Sequence, residues 1–326
     1  MTLVDIRNET IFTVLNVTEA RARRTADWLW LAVLILAGWS GATAFIGRFR
    51  ANQVSRVMAA IAPPDTFLLV AIGVTLLMAI AAALAGRRAY AGAAAMITAF
   101  LVGHQLYAWL YVHLPGRFVF PFSALGDGPR FALSRLGYAA TLLVPMLIAW
   151  FATFQRDRTG WPPLTFRIGK LTETSRDFSI KTPVRPVWRE LLGGYGFFCV
   201  VMFIVMQLNV GFRPIVNGTF WALLPAILVA AVGNAIAEEF VFRGLIQPAF
   251  IRAAGVGVGL WSQGVMFGLM HWGVSVGVLA ALPVSLLIGL GSVVWGKTAL
   301  DTQGLGYVVI AHAMIDVCVM SAFFIR

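Results

Sequence analysis

The sequence predicts an all-α fold: a polytopic membrane helix bundle of about eight to nine transmembrane helices, with its reactive side chains gathered in the C-terminal half. Three observations carry this. Of 326 residues, 60% are hydrophobic and only 12% charged, giving a mean hydropathy of +0.83, far from the balance of a soluble domain. The apolar residues fall into runs of ~20, the length an α-helix needs to cross a hydrocarbon layer of ~30 Å. Against that background Glu238, Glu239 and Arg243 stand together inside a long apolar run. Ionisable groups there cost roughly 2.5–3.5 kcal/mol each on insertion scales, so they imply partners or a task.

Taken in order, residues 1–27 are polar and end in Arg21-Ala22-Arg23-Arg24, predicting a cytoplasmic tail. The apolar run behind it lacks a small-residue cleavage pattern and predicts a first transmembrane helix, about Trp28 to Gly47, rather than a cleaved leader. Pro63-Pro64-Asp65 precedes a second span, Thr66 to Ala85, and Gly86-Arg87-Arg88 predicts a tight basic turn into a third, Ala91 to His113. A Gly/Pro-rich loop from Pro115 to Arg130 leads to a fourth, Arg135 to Phe154. These spans form an N-terminal four-helix membrane region, residues 28–154.

Residues 155–190 carry eight basic side chains and several prolines and read as a cytoplasmic linker. The second membrane region, residues 191–326, opens with a span from Leu191 to Phe212. A very long apolar stretch follows from Asn217 to Arg252, then a shorter helix from Gly257 to His271. The latter is too short to span and predicts a helix that stops inside the protein, where Gly273 permits a turn. Ser275 to Trp295 is a further span, Gly296 to Gly304 reads as a polar turn, and Leu305 to Ile325 is the last span.

The net charge of +11 comes mostly from arginines spread along the loops. They read as topology signals and lipid-headgroup contacts, so the bilayer is a partner and nucleic acid is not. The assigned loops put sixteen Lys and Arg residues, Lys297 among them, on the inner side and eight on the outer, which favours a cytoplasmic N-terminus. Scarce lysine with abundant alanine, glycine and arginine suits a high-GC bacterial source, hence a bacterial inner membrane. Cys199 and Cys318 lie far apart in apolar segments and read as small packed hydrophobes. His104, Gln105 and His113 have no motif around them and read as intramembrane polar contacts.

Three motifs in the second half share one spacing. Glu239 and Arg243, Phe267 and His271, and His312 and Asp316 are each four residues apart, so each pair shares a helix face. Glu238 is turned about 100° from Glu239, so one acid can face a cavity while its neighbour binds Arg243. Glu238 lies 14 residues before Arg252 and His271 14 residues after Gly257. Both are therefore roughly 20 Å from the same membrane face, and His312, eight residues after Gly304, is roughly 12 Å deep. The cavity they would line opens to the cytoplasm.

In this order the motifs resemble the CPBP family of intramembrane proteases, the CAAX-protease and bacteriocin-processing family, which includes the type II CAAX prenyl endopeptidase. The resemblance covers about Leu191 to Arg326. It implies an intramembrane endopeptidase of the glutamic type that acts on a membrane protein, a lipidated tail or a peptide precursor. In that reading Glu238 is the general base on water, His271 orients the same water, and His312 with Asp316 faces the developing oxyanion. Glu239 and Arg243 hold the geometry. Many relatives carry Asn where this chain has Asp316, and an ionised Asp cannot donate to an oxyanion. The expectation is a site without cofactor or metal. A zinc alternative would use Glu238, His271, His312 and Asp316 as ligands. Outside peptidases, embedded Glu, His and Asp also mark ion paths, as in an ion-coupled transporter. A non-catalytic immunity or scaffold protein on the same bundle is the third alternative.

Overall fold

The computed structural model describes residues 27–43, 63–113, 127–154, 168–170, 196, 199–200, 204, 218–271 and 278–324. The predicted tail, most of the linker, the Leu191–Phe212 span except for a few residues, and the turn at Gly273 lie outside them. The described residues are helical wherever they form regular structure. The helices are α1 (Asp27–Thr43), α2 (Pro64–Leu84), α3 (Arg88–His113), α4 (Asp127–Phe154), α5 (Thr219–Glu239), α6 (Gln247–Ala254), α7 (Val256–Met270), α8 (Val278–Thr302) and α9 (Gly306–Phe324). A π-helical segment, Phe240–Ile246, joins α5 to α6 without a break. Four stretches are long and apolar enough to cross a membrane: Asp65–Leu84, Arg88–Leu110, Leu136–Thr153 and the 35-residue Phe220–Ala254. The chain is an integral membrane protein.

Local chemistry sets the boundaries. Pro64 opens α2, where a missing N–H costs nothing because no helical carbonyl awaits it. Gly86, at φ +73°, makes the turn into α3. At that turn Arg87 donates to Asp27, the first residue of α1, and its guanidinium lies 3.7 Å from the Tyr90 ring centroid. The start of α1 and the α2–α3 turn thus share one membrane face. Gly255, at φ +85°, reverses the chain between α6 and α7, which then pack side by side.

The predicted polar turn Gly296–Gly304 is instead the last part of α8. Its polar side chains are satisfied inside the protein. Lys297 and Asp301, four apart, pair at 2.6 Å and are 2% and 0% exposed at their side chains. Thr298 and Thr302 hydroxyls donate back to Val294 O and Thr298 O. Nothing there needs water, so the helix runs on to Thr302 and ends where Gln303 takes φ +57°. Lys297 is therefore a buried ion-pair partner and not a loop charge. The amide of Lys170, from the linker, donates to Thr302 O at 2.9 Å, which puts that part of the linker at the α8–α9 turn.

The core is shared between the two membrane regions. One buried cluster includes Leu34 of α1, Ile97 and Phe100 of α3, Met146 of α4, Phe242 of the π segment and Phe250 of α6. α3 and α4 both touch the π segment, and α4 also packs along α5. α7 and α8 cross closely because Gly268 faces Gly289. A Cβ on Gly268 would meet Ser285 O at 2.4 Å and Gly289 Cα at 2.8 Å. Small residues that let backbones approach are the usual device where lipid supplies no hydrophobic drive between helices.

Candidate active site

The predicted motifs sit on α5 and the π segment (Glu238, Glu239, Arg243), at the end of α7 (Phe267, His271) and on α9 (His312, Asp316). The helical offset between the two glutamates sends them to different neighbours.

Glu239 is wholly buried and accepts from Arg243 Nη1 at 2.9 Å. The guanidinium, also 0% exposed, donates through Nη2 to Ser292 Oγ on α8 at 2.8 Å. It lies over the rings of Phe267 and Trp295, 4.7 Å and 5.3 Å from their centroids. Ser292 Oγ in turn donates to Gln263 Oε1 on α7 at 3.2 Å, and Gln263 Nε2 donates to Ser292 O at 3.0 Å. A buried cation thus ties the π segment to α7 and α8, with a carboxylate, a hydroxyl and two ring faces set against the cost of desolvation.

The same Glu239 oxygen lies 2.7 Å from His312 Nδ1. A carboxylate can only accept, so Nδ1 carries the proton and donates. This turns His312 Nε2 toward two other acids, 3.7 Å from Glu238 Oε2 and 3.6 Å from Asp316 Oδ1. Trp295 packs against the imidazole with ring centroids 4.8 Å apart. Asn234, one turn before Glu238, links the acids from the other side. Its Nδ2 donates to Glu238 Oε1 at 3.0 Å and to Asp316 Oδ2 at 2.9 Å. With both N–H donors of that amide committed, two carboxylates can stand close without a metal between them.

Glu238 keeps part of its side chain exposed (21%), and it faces a small, partly open cavity that His271 also lines. His271 Nδ1 donates to Phe267 O, four residues back, at 2.8 Å, leaving Nε2 as the acceptor nitrogen of the neutral ring. Phe267 packs between Phe242 and His271, at centroid distances of 4.7 Å and 4.6 Å. The cavity's remaining wall includes Phe100 of α3 and Tyr138 and Leu142 of α4.

All six predicted site residues therefore lie in one connected arrangement. The structure adds Asn234, Ser292, Gln263 and Trp295, and on the cavity wall Tyr138. Asn234 carried a readable signal, since it shares a helix face with Glu238 at four-residue spacing. Gln263 carried the same signal, four residues before Phe267 and eight before His271 on α7; Ser292, Trp295 and Tyr138 did not, because α8 and α4 reach the site through tertiary packing. A zinc site needs three or four ligands around one point. Among the described residues no three His, Cys, Asp or Glu side chains are so arranged; His312 Nδ1 is committed to Glu239, which leaves Nε2 as that ring's one possible ligand atom.

Residues 220–318 match the family model described as Type II CAAX prenyl endopeptidase Rce1-like. The resemblance read from the motifs holds over this stretch, which contains all six residues and is narrower than Leu191 to Arg326. No curated protein and no solved structure matches the chain.

Proposed function

We propose that this protein is a glutamic-type intramembrane endopeptidase, hydrolysing a peptide bond of a membrane-associated or lipidated protein or peptide. The observation that carries the reading is the position of Glu238. Its carboxylate faces the same cavity as His271 and lies 3.7 Å from His312 Nε2. That gap is too long for a direct hydrogen bond, and both groups can reach one water standing beside it on the cavity side.

In this reading Glu238 takes a proton from the water as the water oxygen bonds to the carbonyl carbon. His271 Nε2 accepts the second water hydrogen and fixes the direction of attack. The carbonyl π pair moves to oxygen, and the oxyanion is met by an N–H at Nε2 of His312 in its protonated form, flanked by Asp316. Collapse breaks the C–N bond, and the proton held by Glu238 goes to the departing amine. Glu239 and Arg243 keep His312 in its orientation. Glu238 supplies base and then acid, His271 holds the water and His312 supplies the donor, so the scheme needs no metal or cofactor. A cytoplasmic N-terminus in a bacterial inner membrane would present the cavity to substrates from the cytoplasmic side.

The test uses purified protein in nanodiscs and an internally quenched peptide ending in a prenylated Cys-aliphatic-aliphatic-X sequence. Glu238→Gln and His271→Ala should each lower kcat by about 10²–10⁴, with an unchanged melting profile. A chelator should leave the wild type untouched. Undiminished cleavage by both variants would sink the reading, and loss of activity on chelation, restored by zinc, would replace it with the metal-dependent form.

A further inference from the structure

Tyr138 stands in the wall of the Glu238–His271 cavity, yet it belongs to α4, well outside residues 220–318. Its hydroxyl lies 3.0 Å from Nε2 of His104 on α3, and His104 Nδ1 lies 2.8 Å from Phe100 O, one turn back. His104 is 1% exposed, and its ring packs edge-on against both Phe100 and Tyr138.

This chain of contacts fixes which atom gives and which takes. A backbone carbonyl can only accept, so the proton of the neutral imidazole sits on Nδ1. Nε2 then presents a lone pair, and the Tyr138 hydroxyl must donate to it. A phenol that donates its hydrogen in a fixed direction offers its oxygen as an acceptor. A peptide drawn into a largely apolar cavity brings backbone N–H groups that have lost water, and each is costly to leave unpaired.

We infer that Tyr138, oriented by His104, accepts a hydrogen bond from a backbone N–H of the substrate peptide and so positions the chain against Glu238. The inference rests on the peptidase reading. It gives α3 and α4 a part in substrate binding. Phe100 and Leu142 flank Tyr138 on the cavity wall and supply apolar contact for the same segment.

The experiment is a cycle between enzyme and substrate. The quenched prenylated peptide is compared with analogues N-methylated at one backbone amide at a time, on wild type and on Tyr138→Phe. Cleavage is followed in those chains, and binding is followed by fluorescence anisotropy in the same chains carrying Glu238→Gln. Tyr138→Phe should weaken kcat/KM about three- to tenfold, mostly through KM, as expected for one neutral hydrogen bond. At one backbone position N-methylation should cost the wild type a similar factor and cost Tyr138→Phe nothing further. A purely structural role for the hydroxyl would lower the melting midpoint without producing that position-specific coupling. Independent, multiplying losses at every position would overturn the inference, as would no binding by any of the chains. Coupling seen in binding with no cleavage by wild type would sustain the inference and sink the peptidase reading. Cleavage without coupling would do the reverse.

Discussion

Replacing Arg243 with Met tests whether the buried cation holds the site together. The side chain is 0% exposed and bonds Glu239 at 2.9 Å and Ser292 Oγ at 2.8 Å. Methionine keeps much of the length and the contact with Phe267 but leaves the wholly buried Glu239 without its guanidinium. Breaking a buried pair from one side costs about 3–5 kcal/mol, and loss of the charge over the Phe267 and Trp295 rings adds about 0.5–2 kcal/mol. The double variant Glu239→Gln/Arg243→Met removes the stranded charge and should recover most of the loss, since an ion pair replaced as a whole is close to neutral. Reversible unfolding in SDS-containing mixed micelles, read by tryptophan fluorescence, gives both differences. A single-variant loss below about 1 kcal/mol would refute the reasoning. So would a double variant no more stable than the single one. Cleavage should be lost in both, because Glu239 also orients His312 through the 2.7 Å contact to Nδ1.

Two further predictions concern positions that touch the site from its edges. Asn234→Asp sets a third carboxylate where the amide now bridges Glu238 and Asp316, and kcat should fall by about 10²-fold or more. Combining it with Asp316→Asn restores an amide–carboxylate pair between those positions but leaves an acid facing Glu238. The melting midpoint should therefore recover while kcat does not, and joint recovery would reduce Asn234 to a packing role. Gly268→Ala drives a methyl to 2.4 Å from Ser285 O, a backbone atom that cannot turn aside. The α7–α8 crossing should open at a cost of about 1–3 kcal/mol, and cleavage should drop because His271 ends the same helix. An unchanged midpoint with full activity would show that the crossing yields freely.

The parts of the site legible in the sequence were those encoded within single helices. Glu239–Arg243 and His312–Asp316 sit at four-residue spacing, so a face could be read without knowing the neighbours. Counting rise from Arg252 and from Gly257 brought Glu238 and His271 to one depth, and the structure lines one cavity with both. The π segment was not legible. Its backbone step changes at Phe240, inside an apolar run broken only by Arg243 and Gly244, with no change in residue pattern at that point. The end of α8 misled for a physical reason, because Lys297, Thr298, Asp301 and Thr302 look like a solvated turn. They become buried helix once Lys297 and Asp301 neutralise each other at 2.6 Å. Ser292 reads as an ordinary polar residue in an apolar span until packing sets it against Arg243.

The chemistry-bearing residues and the cavity they serve have different extents along the chain. Glu238, Glu239, Arg243, His271, His312 and Asp316 all fall inside residues 220–318, but the opposing wall comes from α3 and α4. Those helices also cover the π segment, so Phe242 and Phe250 share one buried cluster with Phe100 and Met146. A π turn is less stable than an α turn and is found mostly where function requires it. Here it is braced from outside by α3 and α4 and from inside by the Arg243 network. The first half therefore supports the geometry of the proposed site, and if that site is catalytic, substitutions in α3 or α4 will act on kcat from a distance. Tyr138 is the position where support and the proposed substrate contact coincide, and that is why a coupling measurement tied to one substrate amide separates the two roles where a stability measurement would merge them.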